Sequence, residues 1–278
     1  MAINKTIMKK IKKALISLSD KKNLKNLLKI LTKNKIELIS SGGTYKEIKK
    51  LKFKCLEVSE YTNSPEILDG RVKTLHPKIH AGILSKRNNK YHKIELKNHN
   101  FEEIDLVIVN FYPFDKILDQ TNNHLKIIEN IDVGGPTMVR AAAKNYKDVT
   151  VITSSNQYDD LINEIKKNKG STSLKFREKM SSEAFSETAY YDALISNYFN
   201  NIRQNNFPKK KIFYGNLIKK LRYGENPHQE SAIYSKTKKL DFNQIAGKQL
   251  SYNNYNDIYS ALNVSKSLPN NIGTVIVK

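Results

Sequence analysis

Within the stretch Ile104-Asp105-Leu106-Val107-Ile108-Val109-Asn110, the four residues Leu106 to Val109 are apolar at consecutive positions, so they have no face to offer to water. A β-strand turns successive side chains to opposite faces. Apolar residues on both faces demand cover above and below, which is the setting of a central strand in a parallel sheet. Parallel strands cannot be joined by hairpins, so helices must run between them. The flanking sequence supplies both kinds of element. Residues 13–19 form a second apolar run, and Leu24, Leu27, Leu28 and Leu31 at three- and four-residue spacing predict a helix over 21–33. A strand over 36–40 and a helix over 45–51 follow, with a strand-like run at 53–58. Beyond the central strand come a strand over 149–153, a helix over 157–167, and one or two amphipathic helices over 172–201. The polar stretch 200–211, with Pro208, reads as a linker, which places a domain boundary near 212.

A chain of 278 residues with 39% hydrophobic content has room for one large or two modest cores. No stretch of about 18 apolar residues occurs, and the opening residues lack a signal-peptide core, so a cytoplasmic protein without a membrane partner is expected. The lone Cys55, within the strand-like run, reads as a small buried hydrophobe. The net charge of +21 comes from scattered lysine. Without an arginine-rich stripe or interleaved aromatics it argues against nucleic-acid binding, and instead for a basic surface that favours phosphorylated small molecules.

Two successive strand-to-helix turns, Ser19-Asp20-Lys21 and Ser41-Gly42-Gly43-Thr44, gather hydroxyls, a lysine and glycines at helix starts, where free amides hold phosphate. Ser19 and Asp20 are also residue types that cap helices. Ligands of open α/β sheets collect beyond the carboxyl ends of strands, so Asn110 and Tyr112 fall at the same rim. In Asn130–Asn145, Pro136 suits a first helical position, the Gly134-Gly135 pair leaves amide donors free, and Asp132 lies upstream of that positive end. Thr137, Arg140, Ala141 and Lys144 share one face of the resulting helix. Between the two halves, Asp69–His80 crowds cations, Gly, Pro and two histidines together, and reads as a loop within about 60–82. Only six of the 48 basic residues are arginine, so Arg71 in that loop stands out. Pro77 between His76 and His80 opposes a regular helix and no third ligand is evident, so no metal is expected.

Taken together, SLSDK, SSGGT, DGRVKTLHPKIHAGIL, VNFYPF, NIDVGGPTMVRAAAKN, LRYGENPHQ and GKQLSYNNYND resemble, in order, the bifunctional purine-biosynthesis family that joins an IMP cyclohydrolase to an AICAR transformylase. The resemblance implies a methylglyoxal-synthase-like α/β domain over 1–212, a parallel sheet with helices on both faces. Over 213–278 it implies the start of a cytidine-deaminase-like α/β transformylase domain. It further implies a cytoplasmic homodimer that closes the ring of 5-formamidoimidazole-4-carboxamide ribonucleotide without cofactor or metal. Ser17, Ser19, Lys21, Ser41, Gly42, Gly43 and Thr44 would hold the phosphate. Arg71, Lys73, Thr74, Asn110, Tyr112, Asp132, Gly134, Gly135 and Lys144 would line the base end, with Lys73, Tyr112, Asp132 and Lys144 as the catalytic groups. The long VKTLHP and GGPTMVRAAAKN motifs argue against methylglyoxal synthase itself. Formyl transfer from 10-formyltetrahydrofolate to AICAR is the family's second activity. Arg222, Tyr223 and Lys278, the last at the end of an expected strand over 273–278, match part of that site only, so this activity is not expected of the chain alone.

Overall fold

The computed structural model describes residues 7–237, 239–269 and 272–277. The chain divides into two compact units, 1–203 and 204–278. In the first, β1 (Lys9–Lys10) and β2 (Lys13–Leu18) are followed by α1 (Leu24–Lys33), β3 (Glu37–Ser40), α2 (Gly42–Lys50), β4 (Leu56–Glu57) and α3 (Val58–Thr62). Then come α4 (Pro77–Leu84), α5 (Lys90–Asn98), β5 (Leu106–Asn110), α6 (Phe114–Gln120), α7 (His124–Glu129) and α8 (Gly134–Lys144). β6 (Thr150–Ile152), α9 (Tyr158–Lys167), β7 (Ser171–Thr172) and α10 (Leu174–Ile202) complete it.

The five-stranded sheet has the order β4-β3-β2-β5-β6 and is parallel throughout. Leu106 to Val109 are each at most 1% exposed, so the central-strand reading of that run holds. Right-handed crossovers send the chain leftward from β2 through β3 to β4 and rightward from β5 to β6, which puts the connecting helices on opposite faces. The packing agrees: α1 lies against α9, whereas α8 lies against α4 and α10. The α1 leucines Leu27, Leu28 and Leu31 are fully buried, and truncating one to alanine should cost about 2–5 kcal/mol. Because β2 and β5 are neighbours whose chains depart in opposite directions, a crevice opens beyond their carboxyl ends.

Arg177, near the start of α10, is fully buried and has no acidic partner within ion-pair distance among the described residues. Its five N–H groups are instead spent on oxygens: Nε on the Tyr146 carbonyl, Nη1 on the carbonyl and hydroxyl of Thr172, and Nη2 on the carbonyls of Ile7 and Lys147. Burial pushes its pKa down to about 10.

Several sequence expectations are corrected. α1 starts at Leu24 rather than 21, because Asp20 accepts from the Lys22 amide in a turn of its own instead of capping the helix. Only Leu56 and Glu57 of the 53–58 run pair, and Val58 already opens α3. Cys55 is half-buried, and burial still pushes its thiol up to about 12. Pro77 does not oppose a helix but begins one: at the first position of α4 its missing N–H costs nothing, and the His76 Nδ1 caps the turn by accepting from the Lys78 amide at 3.1 Å. The expected one or two helices over 172–201 are a single helix that starts at Leu174, since Thr172 is in β7 and Ser173 caps it, and that reaches Ile202, which shortens the expected linker.

The second unit contains an antiparallel pair, β8 (Asn216–Lys220) and β9 (Ala232–Ser235), and α11 (Tyr252–Ser267), capped by Ser251 in a capping box. The expected strand at 273–278 does not form over 272–277: these residues pair with no strand among the described residues, and Ile276 is 88% exposed. An apolar run becomes a strand only where a neighbour accepts its ladder.

Candidate active site

A cleft of about 720 Å³ opens at the crevice beyond β2 and β5. Ser17, Ser19, Lys21, Ser41, Gly43, Thr44, Arg71, Lys73, Thr74, Asn110, Tyr112, Asp132, Gly134 and Gly135 all line it. Five separate stretches of chain thus meet there.

On one side stand the β2–α1 loop and the start of α2. Neither the N-cap of α2, Ser41, nor that of α8, Val133, makes a side-chain capping bond. The α2 N-terminus therefore faces the cleft with no side-chain cap, an arrangement that favours an anion, whereas at α8 the Asp132 carboxylate already takes the Gly135 amide. Gly42 is in the left-handed region (φ 52°), and a Cβ there would meet the Lys73 Nζ at 2.9 Å. Glycine is thus needed both for the turn and for the approach of the lysine. The Lys73 ammonium is 3.6 Å from the Glu66 carboxylate, and the Lys21 Nζ donates to the Ser19 carbonyl at 3.2 Å.

On the other side stands the start of α8. A Cβ on Gly134 would fall 2.4 Å from the Thr74 hydroxyl, so glycine here lets the loop and the helix touch. Asp132 accepts from the Gly135 amide at 2.8 Å, and its own amide donates to the Tyr191 hydroxyl. Burial raises the Asp132 pKa above its ordinary 3.8, outweighing the amides of Gly135 and Tyr112 that would lower it. The Tyr112 phenol is also raised, first by burial and then by the charge of Asp132. The pair thus sets a carboxyl of raised basicity beside a phenol of lowered acidity.

Two predicted ligands turn out to be occupied. The Thr44 hydroxyl accepts from the Leu18 amide at 2.8 Å and donates to the Leu18 carbonyl at 3.0 Å. The Asn110 Oδ1 accepts from the amides of Ser19 (2.6 Å) and Asp20 (3.1 Å), and its Nδ2 donates to the Asp20 carbonyl at 2.8 Å.

Lys144 is not brought to the cleft. It is exposed at the last position of α8, ten residues from Gly134, or about 15 Å along the axis. Helical spacing had put it on a shared face with Arg140 but carried no information on depth. Arg140 instead sits over the Phe185 ring. Arg222 and Tyr223 lie in the second unit, where they stack on each other with 4.9 Å between guanidinium and ring centroid. Lys278 lies outside the described residues. Sequence reasoning missed the apolar wall formed by Ile128, Ile131, Val133 and Met138, and Glu129, which pairs with Arg71 across the cleft. Of the two histidines, His76 caps α4, and burial lowers the pKa of His80, whose Nε2 is buried without a hydrogen-bond partner among the described residues.

Two family models match the chain, and the second begins within the first compact unit. Residues 23–137 match the MGS-like domain, and 142–278 match the AICARFT/IMPCHase bienzyme family. The bifunctional purine biosynthesis protein PurH of Bradyrhizobium diazoefficiens is 46% identical over 257 residues, covering 91% of this chain and 48% of that protein. PurH of Leptospira biflexa is 44% identical over 271 residues, covering 97% and 53%. The chain thus spans about half the length of these curated relatives. A crystal structure of ForH superposes with a TM-score of 0.61 at 28% identity, covering 68% of this chain and 99% of its own. On these matches the chain belongs to the AICARFT/IMPCHase bienzyme family, of whose members it spans about half.

Proposed function

We propose that the first unit is an IMP cyclohydrolase, closing 5-formamidoimidazole-4-carboxamide ribonucleotide to IMP with loss of water. The observation that carries this reading is the convergence of five distant stretches on one cleft, which has the uncapped α2 N-terminus, Lys21 and Lys73 at one side and Asp132 and Tyr112 near the other. The nucleotide phosphate sits at the turns holding Ser17, Ser19, Lys21, Ser41, Gly42 and Gly43, and the base reaches Thr74, Gly134 and Gly135. With the substrate held in a reactive conformer, most of the barrier is met by orientation. Asp132 takes a proton from the carboxamide nitrogen as it bonds to the formyl carbon. Negative charge grows on the formyl oxygen, and the Lys73 ammonium stabilises it. Asp132 passes its proton to that oxygen, making it a hydroxyl. The Tyr112 phenol then protonates the hydroxyl as it departs, and the formamide N–H proton returns to the phenolate as the C=N bond forms, so that one water leaves and the ring is closed. Arg71 orients the base end, and no step is assigned to Lys144.

The wider reading is a purine-biosynthetic, cytoplasmic homodimer with domains 1–212 and 213–278, no cofactor for ring closure and no nucleic-acid partner. In a full-length relative, 10-formyltetrahydrofolate would be the second domain's cosubstrate, met there by Arg222, Tyr223 and Lys278. Among the described residues no helix is long and apolar enough to cross a membrane. The test is the absorbance change on ring closure when the purified chain meets the formylated nucleotide. Absence of catalysed closure by a folded chain would overturn the proposal.

A further inference from the structure

Side chains at a cleft are ordinarily read as ligand contacts, yet two of the polar groups lining this one are turned toward the protein's own main chain. β2 and β5 are in register up to Leu18 and Asn110, where the ladder ends and β2 leaves the sheet. Past that point the Asn110 carboxamide continues the pairing in place of a backbone peptide. Its oxygen receives the amides of Ser19 and Asp20, and its nitrogen donates to the Asp20 carbonyl. From the opposite side Thr44, 3% exposed, receives the Leu18 amide and donates to the Leu18 carbonyl. The track Leu18-Ser19-Asp20 is therefore suspended between two side chains, each a donor and an acceptor to it. Lys21 follows directly, and its ammonium reaches back to the Ser19 carbonyl.

The two side chains come from separate elements, the end of β5 and the first turn of α2, and together they hold the backbone where the β2 ladder ends. A loop that must present amides and a cation to a phosphate gains from being fixed beforehand, because the ordering is then not charged to binding. We infer that Asn110 and Thr44 are positioning residues which set nucleotide selectivity through the β2–α1 loop, rather than groups that hold the ligand directly. The inference rests on the proposed phosphate site, and it predicts a selective defect: phosphate recognition falls while recognition of the base and ribose persists.

The test compares binding of IMP and of inosine, by calorimetry, to the intact chain and to Thr44→Val, Thr44→Ser and Asn110→Ala. Thr44→Val is nearly isosteric and removes only the hydroxyl, and Thr44→Ser restores it. Expected is a loss of about tenfold in IMP affinity for Thr44→Val and for Asn110→Ala, with inosine affinity changed less than about twofold and with Thr44→Ser near wild type. Amide hydrogen exchange across residues 17–22 should quicken in both defective variants without ligand. Equal losses for IMP and inosine, unchanged exchange in folded variants, or failure of serine to rescue would each overturn the inference. A wild-type chain that binds IMP no better than inosine would instead overturn the phosphate site on which it rests. Should Asn110→Ala fail to fold, the Thr44 pair decides alone.

Discussion

The two ends of the five-stranded sheet are built from the same strands but treat charge in opposite ways. At the amino end, Asp105 accepts the amides of Lys12 (2.8 Å) and Lys13 (3.2 Å) and lies 3.7 Å from Arg87. Arg87 donates to the carbonyls of Ser85 and Ile104, Asp148 takes Lys9 and the Arg87 amide, and Lys13 meets Glu37 and Glu102. These partners are reciprocal, and the result is a sealed rim. At the carboxyl end, the α2 N-terminus has no side-chain cap, Lys73 has only Glu66 at 3.6 Å, and Asp132 has no cation within ion-pair distance among the described residues. Charge that is mutually satisfied stabilises a fold. Charge left partly unsatisfied is available to a substrate.

Substitutions can break this contrast. The largest effect is expected at the sealed end, where Asp105→Ala strands two backbone amides and Arg87. It should lower unfolding free energy by about 3 kcal/mol, read by urea denaturation, while ring closure per folded molecule stays near wild type. A large loss of turnover in folded protein would mean that the two ends are coupled. Next, Lys73→Ala should lower the cyclisation rate about a hundredfold while its urea midpoint moves little. Wild-type turnover in this variant would remove Lys73 from the mechanism.

The smallest effect sharpens the contrast by its sign. The folded protein holds the Asp132 proton to higher pH than the unfolded chain does. Folding is therefore favoured below the ordinary carboxylate value, and that advantage disappears as pH rises through the raised one. At neutral pH the ionised carboxylate is a net cost. Asp132→Asn, which keeps an oxygen for the Gly135 amide, should abolish turnover and yet stabilise the fold by up to about 1 kcal/mol at pH 7. The gain should vanish in acid. Destabilisation at pH 7 would show that Asp132 belongs with the sealed end instead.

Much of this was legible in the residues. The double-faced apolar run within 104–110 forced the parallel sheet, and the Ser/Gly turns and the Gly134-Gly135 start marked the rim, because helix starts and strand ends leave local signatures. What escaped notice was of another kind. Lys144 has the right period but the wrong height, since periodicity reports a face and not a distance along the axis. Glu129 meets Arg71 only through tertiary placement, and no spacing announces it. Asn110 and Thr44 were recognised as polar groups at the rim, but whether such a group faces ligand or main chain depends on how the neighbouring strand departs.

Arg177 fixes an order of events. Its guanidinium joins Ile7, Tyr146, Lys147 and Thr172, so this cluster cannot be completed until the chain has been made through α10's first turn. A nascent chain stopped short of that residue would leave the carbonyls of Ile7, Tyr146, Lys147 and Thr172 without this donor. The unit should accordingly become resistant to protease late in synthesis and in a single step, rather than one strand at a time.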